Sequence, residues 1–233
     1  ETVKALIAND ATVNAMQADG TTALHWAARA DAVDVVDLLL HAGASPGLAT
    51  RYGITALALA AENGNAEIVR SLLNFGADPN TSTSSGESVL MVAARTGRVT
   101  VLNALLAKGA VVELTEQWRN QTALMWAAAY GHAAVARQLV EAGADATLRA
   151  TGDGREGKTA LEIAEARGKA EVAALLRTPA EQAVFEGRWE VWCKKSAIAK
   201  TTEGKLGAVI MDPDPDSEVK LRFADGAESG YLK

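Results

Sequence analysis

The chain reads as a mainly α solenoid of helix-turn-helix-hairpin units with a small β-barrel-like domain at its C-terminal end. Three observations lead there. A seven-residue phrase recurs five times at a nearly fixed interval. Each copy is followed by a glycine turn and a second apolar helical stripe. Beyond Pro179 the pattern changes to strand-like alternation. The phrases are Thr22–Ala28, Thr55–Ala61, Ser88–Ala94, Thr122–Ala128 and Thr159–Glu165. Their leucines, Leu24, Leu57, Leu90, Leu124 and Leu161, are spaced by 33, 33, 34 and 37 residues. A period in that range marks units that bury their apolar faces only against their neighbours. Solenoids present long surfaces, so binding is expected ahead of catalysis.

Val3 to Asn14 aligns, 33 residues upstream, with the segment beginning at Val36, and reads as the second half of a repeat. With no initiator Met, the chain is expected to be a fragment or ordered portion of a longer protein. In each full unit the Thr or Ser caps a first helix, its hydroxyl accepting an orphan N–H of the first turn. Leu24, Trp26, Ala27 and Ala28 and their equivalents follow, and the small residues allow close helix approach. A turn at Gly64, Gly97, Gly131 or Gly168 (Asp31 in the first copy) leads into a second helix. There Ile68-Val69 with Leu72-Leu73, and the pairs Leu105-Leu106 and Leu175-Leu176, carry helical spacing. Gly43, Gly76, Gly109 and Gly143 end the second helix. The stretch to the next Thr is rich in Asp, Asn, Ser, Thr and Gly, which is turn and hairpin chemistry.

This grammar resembles the ankyrin-repeat family over residues 1–178, with the family's T-P-L-H-x-A phrase present five times and its Pro replaced by Ala23, Ala56, Val89, Ala123 and Ala160. The resemblance implies a half repeat at 1–16 and five repeats starting near 17, 50, 83, 117 and 154. The last is the most charged, as expected of a terminal repeat facing water. Residues 179–187 read as a linker helix and 188–233 as a small SH3-like or Tudor-like β module. Its strands are expected at Trp189–Lys194, Gly207–Met211, Glu218–Phe223 and Glu228–Leu232, with Asp225-Gly226 as a hairpin signal.

Composition narrows the function. Apolar residues make up 48% of the chain, ample for a core, and the net charge of −6 leaves no basic stripe. Nucleic-acid binding is therefore not expected, because its affinity comes from neutralising phosphates. No apolar run is long enough to insert in a membrane. The single Cys193 fits a reducing, intracellular compartment, the cytoplasm first and an organelle second.

Two motifs suggest other chemistry. Gly152–Thr159 satisfies both G-x-G-x-x-G and G-x-x-x-x-G-K-T. The preceding Asp145–Arg149 is too short and polar to be the buried strand of a phosphate-binding loop. The expected role is a lengthened hairpin with Gly157-Lys158-Thr159 in the places of Gly20-Thr21-Thr22. Asp212, Asp214 and Asp216 alternate like the start of a calcium loop, but Ser217 and Phe223 occupy the places of its Gly and its bidentate acid. His25, His41 and His132 lack metal-ligand spacing, with His25 and His132 expected in local hydrogen bonds. No cofactor, metal or catalytic set is expected, and the chain reads as a non-enzyme.

By position in the family, a partner protein would meet a concave face of hairpin tips and first-helix ends. The candidate binding residues are Arg29, Arg51, Tyr52, Glu62, Asn63, Arg95, Trp118, Arg119 and Tyr130. Tyr52 with Arg51, and Trp118 with Arg119 and Tyr130, stand out because Trp, Tyr and Arg dominate binding hot spots. Trp118 is either such an anchor or folded back on its own hairpin. Trp26 and Trp126 share the column of Leu59, Val92 and Ile163 and are expected in the inter-repeat core. The leading function is a scaffold or adaptor. Alternatives are a structural subunit of a large assembly, or a methylated-peptide reader using Trp189, Trp192, Phe223 and Tyr231, aromatics for which a core role is the larger expectation.

Overall fold

The structure, a computed structural model, describes residues 2–9, 11–151 and 157–177, and the backbone of the three strands 207–210, 219–223 and 228–232. The half repeat contributes helix α1 (Thr2–Ala8), with Val3, Ile7 and Val13 packed against the core. Each full repeat then supplies a helix pair. These are α2 (Ala23–Arg29) and α3 (Val33–His41), α4 (Ala56–Asn63) and α5 (Ala66–Asn74), α6 (Val89–Thr96) and α7 (Val99–Ala107), α8 (Ala123–Tyr130) and α9 (Ala133–Glu141), and α10 (Ala160–Ala166) and α11 (Ala170–Leu176).

The helices stack in two rows. The first helices α2, α4, α6, α8 and α10 contact one another in sequence, and so do α3, α5, α7, α9 and α11. Between the rows runs one continuous core. Four of the five repeated leucines, Leu24, Leu57, Leu90 and Leu124, are fully buried among alanines such as Ala28, Ala61, Ala94 and Ala128, and Leu161 in the last repeat is half-buried. Truncating one of the fully buried leucines to Ala would cost about 2–5 kcal/mol, since the stacked neighbours collapse only partly into the space.

Local chemistry sets the helix starts as read from sequence. Thr55, Ser88, Thr122 and Thr159 each accept a backbone N–H from three residues on, at 3.2–3.5 Å. At α2 the arrangement differs. His25 Nδ1 lies 3.2 Å from the Thr22 amide and 2.8 Å from its hydroxyl, and His25 Nε2 lies 3.0 Å from Ile54 O. A carbonyl only accepts, so Nε2 carries the proton and Nδ1 is the acceptor. Asp31 adopts the left-handed region (φ 60°) where Gly64 (φ 81°) stands one repeat later.

The C-terminal strands β1 (Gly207–Ile210), β2 (Val219–Phe223) and β3 (Glu228–Leu232) form an antiparallel sheet in that order, with Val209 opposite Leu221 and an irregularity between Lys220 and Leu221. They match three of the four expected strands. The fourth, Trp189–Lys194, the linker helix and the Asp212–Asp216 run lie outside the described residues, and the described strands form a three-stranded sheet without showing the expected barrel. Among the described residues no helix is long and apolar enough to cross a membrane.

Candidate functional site: the hairpin and first-helix face

Successive hairpins pair along the solenoid. The amides of Arg51, Ser84 and Gln117 donate to the carbonyls of Asp19, Tyr52 and Ser85 of the preceding tips at 2.8–3.0 Å. This close approach demands glycine at the tip. At Gly53 (φ 75°) a Cβ would sit 2.9 Å from both Ser82 O and Ser84 N.

Within each tip one side chain collects loose amides. Thr50 Oγ1 accepts from the amides of Tyr52 and Ile54, and Thr83 Oγ1 from that of Glu87. The next position in register is Glu116. Its buried carboxylate accepts from the amides of Trp118, Arg119 and Gln121 at 2.6–3.1 Å. The longer side chain spans the one-residue-longer hairpin, in which Asn120 takes a left-handed conformation (φ 48°). Glu116 thereby fixes the backbone that displays Trp118 and Arg119.

Two hollows open on this face. The first, about 230 Å³, is lined by Trp26, Arg29, Tyr52, Ile54 and Leu59 with Asp19 at its edge. Bonds from the Thr21 amide and hydroxyl hold the Asp19 carboxyl below its ordinary value. The second, about 270 Å³, gathers Glu116, Trp118, Arg119, Trp126, Tyr130 and Arg167. Trp126 and Tyr130 stack at 6.4 Å, and Tyr130 stacks in turn on His132 at 6.3 Å. His132 Nε2 meets Arg95 O at 3.0 Å. The Trp126 indole N–H is buried with no acceptor among the described residues.

Between the hollows the surface is polar. Arg95 bridges Glu62 and Glu87, each at 3.4 Å. Arg51 lies 4.8 Å over the Tyr52 ring and donates to its hydroxyl at 2.6 Å. Asn63 is exposed, but its amide is committed, donating to the carbonyls of Ala28 and Arg29 at 3.1 Å and so tying α4 to α2. The candidates thus fall into a first group (Arg29, Arg51, Tyr52), a polar bridge (Glu62, Arg95) with Asn63 as its brace, and a second group (Trp118, Arg119, Tyr130).

One expectation is overturned. Trp26 is not inter-repeat core: it is 54% exposed and lines the first hollow, and Trp126 is only half-buried. Side-chain length explains it. In the same column Val92 (6% exposed) and Ile163 (7%) end inside their neighbours' contact, Leu59 is half-buried, and an indole projects past the rim. Trp118 is 78% exposed, so it has not folded onto its hairpin. Arg167 was missed. It follows α10 in the column of Tyr130, and its position in register was the available signal. The Gly-rich motif has its Thr committed to capping: the Thr159 amide donates to Glu162, whose carboxylate also pairs with Arg149 at 3.0 Å. No strand precedes it at Asp145–Arg149, and residues 152–156 lie outside the described set.

With the paired helices, glycine turns and linked hairpins in view, comparison with known families is decisive. A family model described as ankyrin repeats (3 copies) matches residues 42–116 and 111–184, and one for a single ankyrin repeat matches residues 19–51. The chain belongs to the ankyrin-repeat family. Ankyrin repeats are protein–protein interaction modules, generally non-catalytic ones. No curated protein matches this ankyrin-repeat chain.

Proposed function

We propose that this ankyrin-repeat chain is a non-catalytic scaffold or adaptor that grips a partner protein with the hairpin and first-helix face. Its contact set is Arg29, Arg51, Tyr52, Glu62, Arg95, Trp118, Arg119 and Tyr130, braced by Asn63 and extended by Trp26. Residues 188–233 enter the proposal as a separate small SH3-like β module carried beside the repeats.

The observation that carries this reading is the exposure of four large aromatics on one face, Trp26 (54%), Tyr52 (52%), Trp118 (78%) and Tyr130 (49%). An aromatic side chain buries roughly 150–250 Å², so covering the exposed half of each gives about 2 kcal/mol per ring. Four such anchors, two at each end of a polar bridge, have the composition of a hot-spot surface. Arg51 shields the Tyr52 ring in the free protein and is itself positioned for contact.

The test is affinity capture from source lysate with the full chain as bait, beside Tyr52→Ala/Trp118→Ala and Trp26→Ala variants, read by mass spectrometry. Because these side chains are exposed, the variants keep the parent melting temperature. A partner retained by the parent and lost by the variants supports the adaptor reading. A partner retained equally by all three overturns it.

A further inference from the structure

The two hollows differ in charge. The first offers Arg29 against Asp19. The second offers Arg119 and Arg167 against Glu116 alone, and that carboxylate is turned into the hairpin to bind three amides. Neither Arg119 nor Arg167 has an ion-pair partner among the described residues, whereas Arg95 has two and Arg149 and Arg177 are each paired. In a chain of net charge −6 this is a local reversal of sign.

Resting on the adaptor reading, we infer that the Trp118–Arg119–Trp126–Tyr130–Arg167 hollow is a docking site for an acidic peptide segment of the partner, with an Asp or Glu carboxylate held by Arg119 and Arg167. A guanidinium presents two parallel donors that match a carboxylate's two oxygens. Trp118 and Tyr130 supply an apolar wall for the segment's neighbouring side chain, and that wall excludes water from the ion pairs and strengthens them. The first hollow, with its charges balanced, selects shape and apolar contact, so the second sets the polarity of the partner.

The test is selection from a phage library of random linear peptides on the full chain, repeated on Arg119→Gln/Arg167→Gln and on Trp26→Ala/Tyr52→Ala. Individual selected peptides are then titrated while the Trp126 indole N–H resonance is followed by NMR. The expected outcome is Asp or Glu enriched at a fixed position among selected peptides. Their affinity falls about tenfold or more in the arginine variant, as for loss of a charged hydrogen-bonded contact. It also falls steeply as salt rises from about 0.1 M to about 1 M. The Trp126 resonance shifts on binding, and Arg167→Lys restores part of the affinity.

Peptides that bind without acidic enrichment, or that ignore the arginine variant while being lost on Trp26→Ala/Tyr52→Ala, overturn this inference and leave the adaptor reading standing. Displacement of the peptides by equimolar inorganic phosphate overturns the carboxylate assignment in favour of phosphate. Failure to select any peptide on the face overturns the inference.

Discussion

Asn14, Gly47, Asn80 and Glu113 lie 33 residues apart in register, and three of them tie their repeat to the next. Asn14 donates to Gly43 O at 3.0 Å and accepts from the Ser45 amide at 2.8 Å. Asn80 makes the same pair with Gly109 O at 3.3 Å and the Val111 amide at 2.7 Å. Glu113 accepts from the Asp145 amide at 2.7 Å. Gly47 has no side chain to do this, so the corresponding groups, Gly76 O and the Asp78 amide, lack that tie. A Cβ built at Gly47 meets nothing within 4 Å, and its backbone is not in the left-handed region.

Gly47→Asn should therefore stabilise the solenoid. Restricting the unfolded chain contributes about 0.4–1 kcal/mol at a compatible glycine. Two exposed hydrogen bonds at the low end of the usual net range contribute about 1 kcal/mol together. Ordering the new side chain offsets roughly 0.5–1 kcal/mol of this, leaving a gain of about 0.5–1.5 kcal/mol. For a chain of this size that is a rise of roughly 1–6 °C in Tm. Urea denaturation of the full chain, with Gly47→Ala as control, separates the contributions, because Ala supplies only the chain-restriction part. If Asn proves no better than Ala, the missing-tie reasoning is wrong. A lowered stability would mean that the Gly47 backbone does not tolerate the side chain.

Other substitutions probe the face itself. Gly53→Ala should cost about 2–3 kcal/mol, from the left-handed backbone and the displaced Ser84–Tyr52 hydrogen bond, against about 1 kcal/mol for Gly43→Ala, where φ is 88° but a Cβ meets nothing; urea midpoints compare the two. Burial pushes the His25 pKa below its ordinary 6.5. The unfolded chain then binds the proton first, so His25 contributes stability that is full above about pH 6.5 and lost as pH falls below it. Asp19, Asp145 and Glu162, held low by hydrogen bonds, lose their contribution only below their ordinary 3.8, 3.8 and 4.5. His25→Gln, which keeps an acceptor for the Thr22 amide, should flatten the stability slope between about pH 5 and 6.5, measured by urea unfolding across that range. Glu116→Ala leaves three hairpin amides without their acceptor and should loosen the tip by about 2 kcal/mol, seen as faster chymotryptic cleavage after Trp118.

The repeat architecture was legible because its signals are local and recur. A cap, a paired-alanine first helix, a left-handed turn residue and a leucine-rich second helix each constrain a few neighbouring residues. Asp31 was readable as a glycine substitute for the same reason. What sequence does not carry is how far a side chain reaches past its column. Trp26 and Val92 share a register position, yet one is exposed and the other buried. Nor does it reveal which polar side chains are already committed. Asn63 looked like a contact residue and is a brace between α2 and α4. Glu116 looked unremarkable and organises the most exposed tip. Arg167 was set aside with the charged terminal repeat, although its register with Tyr130 placed it on the same face.

The most direct measurement is hydroxyl-radical footprinting of the full chain, free and bound to its captured partner. Burial of the hairpin and first-helix face should suppress labelling at Trp26, Tyr52, Trp118 and Tyr130 together, while the exposed second-row residues Phe75 and Val140 keep theirs. Unchanged labelling of the four aromatics, with Phe75 and Val140 protected instead, would move the binding surface to the other row of helices and contradict the proposed function.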